Sequence, residues 1–155
     1  MTAALESATR EIVAEEIFPH APEKIWKALT TSALMARWLK MPMKGFAPVR
    51  GTRFTYQTTP AGQWDGTIHC EVLDVIPNEL LAYSWASGHS SNVGYGAELD
   101  TVVRFTLSRV ANGTRLRLVH AGFVFPRNEL AHKNMSGGWK GVVATIGAIA
   151  DEQAS

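Results

Sequence analysis

The stretch GGWKGVVATIGAIA, residues 137–150, decides the architecture because it is the clearest amphipathic helix in the sequence. On a helical wheel its apolar side chains form one arc, while Lys140 and Asp151 fall on the opposite side. The arc consists of Trp139, Val142, Val143, Ile146, Ile149 and Ala150. Gly141 and Gly147 each cost a helix about 1 kcal/mol relative to alanine. The helix therefore needs an apolar surface to pack against.

The middle of the chain predicts that surface, because it alternates apolar and polar residues as β-strands do. The strand candidates are residues 53–58, 66–76, 80–86, 99–110 and 114–121. Turn sequences such as PNE at 77–79 and ANG at 111–113 join neighbouring strands, which predicts an antiparallel meander. Residues 87–98, SGHSSNVGYGAE, form a longer connection that is typical of a mobile loop.

The N-terminal part predicts one strand and two short helices. Residues 10–18, REIVAEEIF, have strand-like composition and end before Pro19. A helix begins near Pro22, and the TTS of residues 30–32 ends it and caps a second helix. The apolar residues at helical spacing are Ile25, Trp26 and Leu29, then Leu34, Met35, Trp38 and Leu39. The order predicts an α+β fold in which a curved antiparallel sheet packs on the terminal helix.

Length and composition predict one domain. The chain has 155 residues, 46% hydrophobic and 19% charged, which is enough apolar material for a core and an internal pocket. We expect a single domain at residues 10–151, with a flexible N-terminus at 1–9 and a tail at 152–155. The formal charge of +1 does not favour nucleic-acid binding. A single cysteine, no secretory signal and no 18-residue apolar run favour a cytoplasmic protein without a membrane span.

Strand alternation also predicts which side chains face the terminal helix. The inward set is Ile68, Cys70 and Val72, then Leu81, Tyr83 and Trp85, then Val103, Phe105 and Leu107, and finally Leu116, Leu118 and His120. His120 is thus directed at the core, where a neutral imidazole can act as a base, orient a ligand or bond a loop carbonyl.

Four segments resemble a known family: APEKIWKALTTSALMARWL at 21–39, EVLDVIPNELLAYSW at 71–85, GTRLRLVHAGF at 113–123, and the terminal stretch. They resemble the activator of heat-shock-protein-90 ATPase homologue family, within the START/Bet v 1-like superfamily. The resemblance implies a helix-grip fold, with six or seven curved antiparallel strands around a long C-terminal helix and a cavity between them. Such relatives bind lipids, polyketides, hormones or aromatic compounds, and some are cyclases or hydrolases.

The leading prediction is a cavity that binds a small hydrophobic or aromatic molecule. The candidate wall residues are Trp38, Phe54, Tyr83, Trp85, Phe105, His120, Phe123 and Trp139, with Met35, Met41 and Met43 near the helix pair. The alternative for each is that it simply fills the core.

Other functions receive less support from the sequence. A cyclase or hydrolase would use His120, with Tyr83, as acid and base, but no paired carboxylate or triad accompanies it. Cys70 lies among apolar neighbours and is expected to be structural. The five histidines lack metal-ligand spacing and no nucleotide motif is present, so we expect no metal and no cofactor.

Two questions about partners stay open. The family resemblance raises a co-chaperone role, although eukaryotic activators carry an additional N-terminal domain that 155 residues leave no space for. The chain is expected to be a monomer, or a homodimer formed through an edge strand or through Gly141, Ala144 and Ala148 on the outer helix face.

Overall fold

The computed structural model describes residues 9–152, which form seven strands and three helices. The strands are β1 (Thr9–Phe18), β2 (Met43–Lys44), β3 (Arg53–Gln57), β4 (Thr67–Ile76), β5 (Leu80–Ser87), β6 (Leu99–Val110) and β7 (Gly113–Val124). The helices are α1 (Pro22–Thr30), α2 (Ser32–Leu39) and α3 (Glu129–Glu152). The predicted flexible ends fall largely on residues 1–8 and 153–155, which lie outside the described residues.

The strands form one antiparallel sheet in the order β1-β7-β6-β5-β4-β3-β2. With two short helices after β1 and a long C-terminal helix, this architecture confirms the predicted α+β helix grip. The strand β2 was not predicted, since its two residues, paired with Tyr56 and Thr55, are too short to show a pattern. Strand β7 extends beyond residue 121 because it continues to pair with β1 as far as Val124.

The predicted inward faces of β4 to β7 are confirmed by burial. All twelve inward residues are buried, and His120 is fully enclosed. A bulge lies in β4, where the pairing steps from Val72 opposite Tyr83 to Asp74 opposite Ala82. The bulge shifts the alternation beyond Val72, after the last residue for which an inward face had been predicted in this strand.

The helix α3 packs on β1 and β7 and contacts both short helices. Its buried residues reproduce the predicted apolar arc, with Val142 half-buried. The helix begins at Glu129, earlier than the quoted stretch, because Ala131 and Met135 continue the stripe of Trp139 at four-residue spacing. Among residues 9–152, no helix has the length and apolarity needed to cross a bilayer.

Two glycines of α3 predict opposite effects of the same substitution. A methyl group at Gly147 would overlap the ring of Phe18, whereas one at Gly141 meets nothing within 4 Å. We expect Gly147→Ala to lower the free energy of unfolding by about 1 to 3 kcal/mol through overpacking. Gly141→Ala should raise it by about 0.5 to 1 kcal/mol, because alanine favours the helix. Urea unfolding of both variants checks this, and shifts of the same sign would contradict the packing described.

Candidate ligand-binding site

A cavity of about 300 Å³ lies between the sheet, the end of α2 and the middle of α3. Its size falls at the lower end of the range for small-molecule sites, roughly 300 to 1,000 Å³. The lining residues come from six parts of the chain: Leu39, Met41, Thr58, Trp64, Ile68, Trp85, Ser87, Tyr95, Asn134, Met135, Gly138, Trp139 and Val142. Every side chain among these is uncharged at neutral pH, so the walls are apolar with a few neutral polar groups.

The cavity has a buried floor and an exposed mouth. The floor consists of Trp64, Ile68, Trp85 and Trp139, each at most 9% exposed. The mouth consists of the exposed residues Tyr95, Asn134 and Gly138. The rings of Trp85 and Trp139 meet edge to face, with their centroids 6.1 Å apart. The floor is therefore largely an aromatic surface.

Trp64 reaches the cavity from a loop between β3 and β4. Its indole Nε1 donates to the carbonyl of Thr67 at 2.8 Å, and its ring packs on Tyr95 with centroids 5.8 Å apart. The Tyr95 hydroxyl donates to the carbonyl of Thr59 at 2.6 Å, and the Asn92 amide donates to the carbonyl of Ala61 at 2.8 Å. These bonds join residues 88–98 to the Trp64 loop, so the two loops form one wall.

His120 lies behind the floor and bonds through both ring nitrogens. The indole Nε1 of Trp139 donates to His120 Nδ1 at 2.9 Å, which requires an unprotonated Nδ1. The proton of the neutral ring therefore sits on Nε2, which donates to Thr101 Oγ1 at 2.6 Å. Thr101 Oγ1 in turn donates to the carbonyl of Trp85 at 3.3 Å. One chain of hydrogen bonds thus runs from Trp139 on the helix to Trp85 on the sheet.

Burial keeps His120 neutral. The loss of hydration, with a smaller contribution from the nearby His132, lowers the pKa of His120 from 6.5 to about 3. At neutral pH the ring is uncharged and both nitrogens are occupied by protein groups. Its partners are Trp139 and Thr101 rather than a loop carbonyl. This arrangement suits a positioning residue and leaves no ring nitrogen free for acid-base chemistry.

The sequence-derived site residues divide into two groups in the structure. Trp85 and Trp139 line the cavity, and His120 supports both. The other five pack in the core without forming the walls of this cavity: Trp38, Phe54, Tyr83, Phe105 and Phe123. Phe105 connects them to the floor, with its ring centroid 6.1 Å from Trp139 and 5.6 Å from Trp38.

Several wall residues were not among the sequence-derived candidates. Met135 had a usable signal, since it lies four residues before Trp139 on the same helix face. Trp64 and Tyr95 lie in loops, where no periodic pattern points inward. Met41 was expected near the helix pair and does line the cavity, while Met35 and Met43 do not.

Other chemically reactive groups lie elsewhere. Cys70 is a buried free thiol, and burial raises its pKa well above the usual range. The Tyr56 and Tyr83 hydroxyls share a buried hydrogen bond of 3.2 Å, and burial raises the pKa of both tyrosines. Within residues 9–152 no three His, Cys, Asp or Glu side chains are grouped to hold a metal ion.

Comparison with known families identifies the family of this chain. Residues 19–151 match the family described as Activator of Hsp90 ATPase homolog 1-like protein. The chain belongs to this family. No curated protein matches it significantly. Among solved members and structural relatives, protein MLL2253 from Mesorhizobium loti is 34% identical, with a TM-score of 0.79 over 94% of this chain and 99% of that one.

Two more distant structures share the fold of this Hsp90 ATPase activator homologue family. Protein BH1534 from Bacillus halodurans is 24% identical, with a TM-score of 0.69 over 91% of this chain and 96% of that one. The Aha1 dimer from Colwellia psychrerythraea is 23% identical, with a TM-score of 0.66 over 88% of this chain and 92% of that one. Members of this family typically bind hydrophobic ligands, which is consistent with an aromatic cavity at this position.

The buried His120 predicts acid sensitivity. Its pKa is lower in the folded state, so below pH 6.5 the unfolded chain takes up a proton that the folded chain refuses until about pH 3. Stability is therefore complete above pH 6.5 and falls by about 1.4 kcal/mol per pH unit below it. His120→Gln removes this loss, so between pH 7 and pH 5 the unmodified chain should lose about 2 kcal/mol more than the variant.

Urea unfolding of both proteins at the two pH values measures this difference. The comparison cancels the titration of the other histidines and of the carboxylates, because both proteins contain them. Equal losses in the two proteins would show that His120 is not a buried neutral group.

Proposed function

We propose that this chain binds an uncharged, hydrophobic, ring-containing small molecule in the cavity between the sheet and α3. The observation that supports this most is the cavity itself, about 300 Å³ with an aromatic floor and no charged side chain among its lining residues. Sites for small organic ligands have this composition, with a few polar groups that set orientation. A charged ligand would lose its hydration here without gaining a counter-charge.

The arrangement of the floor supports binding of a flat ring. Aromatic rings favour offset or edge-to-face packing on other aromatic rings. Trp139 is held through its own indole nitrogen, and the backbone of Trp85 is held through Thr101. Both side chains are only 3% exposed, so the two rings are already packed in place and a ligand does not have to order them on binding, which lowers the cost of association.

A role for His120 as acid or base in a cyclase or hydrolase is less well supported. Its two ring nitrogens are bonded to Trp139 and Thr101, and its pKa of about 3 makes it a very weak base. We therefore assign His120 to positioning the two tryptophans. A binding protein, or a carrier, fits these contacts better than an enzyme using this residue.

The setting we propose is the cytoplasm, with the chain acting alone or as a homodimer. The buried free thiol of Cys70 is compatible with a reducing compartment. The family's name refers to stimulation of a chaperone ATPase, but the cavity is the feature on which a function can be argued, and we favour ligand binding.

A substitution at the cavity mouth tests the proposal. Gly138 lines the cavity, and a Cβ atom built there meets nothing within 4 Å, so we expect Gly138→Leu to place its side chain in the opening. We expect the unmodified chain to bind the neutral probe N-phenyl-1-naphthylamine, with a rise in probe fluorescence, and the variant to bind it at least about tenfold more weakly.

Gly141→Leu is the matched control, because Gly141 is equally open, lies on the same helix and is outside the cavity. It should bind the probe as the unmodified chain does. Equal binding by all three proteins would show that the probe binds outside the cavity. Absence of binding to the unmodified chain would count against the proposal.

A further inference from the structure

A second, smaller space of about 90 Å³ lies beside the cavity, between the loop of residues 88–98 and the first turns of α3. We call it the side compartment. It has about three times the volume that one water molecule takes up in the liquid, roughly 30 Å³. Protein interiors contain few spaces larger than a water molecule, so a space of this size next to a binding cavity calls for an explanation.

The side compartment and the cavity share one wall. Five residues line both spaces, and a residue that borders two spaces lies between them: Trp64, Ser87, Tyr95, Asn134 and Met135. The two spaces are therefore neighbours separated by one layer of residues. Met135 is the member of this layer that yields most easily, because its unbranched thioether side chain adapts its shape to neighbouring groups.

The residues that line the side compartment alone are apolar. Within residues 9–152, none of these six carries a polar or charged side chain: Gly94, Gly96, Ala97, Leu99, Leu130 and Ala131. A water molecule inside a protein needs about two to four polar partners, and side chains supply them here only from the shared wall. An aliphatic group needs no such partner and gains by leaving water. The composition of the side compartment therefore favours an apolar occupant.

Small side chains keep the side compartment open. Ala97 and Ala131 each contribute only a methyl group, although Ala97 is buried and Ala131 is half-buried. Ala131 lies one helical turn before Met135, on the same face of α3. The size of the side compartment therefore depends on alanine at these two positions.

We propose that the side compartment is part of the ligand site: the ring of the ligand lies in the cavity, and a short aliphatic chain attached to the ring extends past Met135 into the side compartment. This inference rests on the proposed function, since it specifies the ligand class of the same site. The preferred ligand is an uncharged ring compound with a linear chain of about three carbon atoms, because each carbon of such a chain is similar in size to a water molecule.

The experiment measures how chain length changes affinity. The probes are naphthalene, 2-methylnaphthalene, 2-ethylnaphthalene and 2-propylnaphthalene, which share one ring system and differ in steps of one carbon atom. Their dissociation constants are obtained by displacement of N-phenyl-1-naphthylamine. Full burial of one methylene group favours binding by about fourfold. We therefore expect 2-propylnaphthalene to bind the unmodified chain at least about tenfold more tightly than naphthalene.

We expect Ala131→Leu to fill the side compartment and leave the cavity open, because Ala131 lines only the smaller space. The variant should bind naphthalene as the unmodified chain does, and its preference for 2-propylnaphthalene should fall below about threefold. Ala144→Leu is the matched control, because Ala144 is exposed on the same helix and lines neither space. It should keep the full preference.

The outcomes separate the inference from the proposed function. If the unmodified chain does not prefer 2-propylnaphthalene, or if Ala131→Leu keeps the same preference, the inference is overturned while ligand binding stays intact. Failure of all four probes to bind the unmodified chain would overturn the inference together with the proposed function.

A second measurement needs no variant. In the complex of the unmodified chain with 2-propylnaphthalene, the terminal methyl protons of the ligand should show nuclear Overhauser effects to the methyl groups of Ala97 and Ala131. The ring protons should show them to Ile68 and Trp139, which line the cavity alone. Effects from the terminal methyl protons only to Ile68 and Val142 would contradict the proposed placement of the chain.

Discussion

His120 connects the terminal helix to the sheet through both of its ring nitrogens, one accepting from Trp139 and the other donating to Thr101. The imidazole is fully enclosed, so neither bond competes with water, and loss of the ring would leave a buried indole N–H without its acceptor. The contact thus joins Trp139 on α3 to His120 on β7 and Thr101 on β6. Apolar packing alone is less directional, because it sets burial without specifying one ring orientation.

The cavity lies beside this contact, between the helix and the sheet, with Trp139 in its floor. Toward the C-terminal end of α3, Ile146 and Ile149 are buried in the core, and Gly147 lets the ring of Phe18 approach the helix closely. On the N-terminal side of Trp139, α3 carries Gly138 and the half-buried Met135, and the cavity lies between these residues and Trp85. The same helix therefore closes the core at one end and opens it at the other.

The fold was largely predictable from the sequence, because strand alternation and helical spacing are local signals. The two-residue alternation of the strands predicts that Trp85 and His120 face inward, and both are buried. The apolar arc around Trp139 predicts that the helix packs on an apolar surface. The separation of cavity wall from core was not predictable in this way. Phe105 and Trp85 follow the same pattern on neighbouring strands, and the position of α3 decides that one fills the core and the other borders space. Trp64 joins the floor through contacts between two loops distant in sequence, for which periodicity carries no information.

The central claim is that a ring compound occupies the space between Trp85, Trp139 and Met135. The most direct measurement is the anomalous difference density of crystals soaked in 2-bromo-9-fluorenone, collected at the bromine absorption edge. The account predicts one strong bromine peak within this cavity, beside Trp85, Trp139 and Met135. A bromine peak only at other sites, with side chains filling the space beside Trp85, would contradict it.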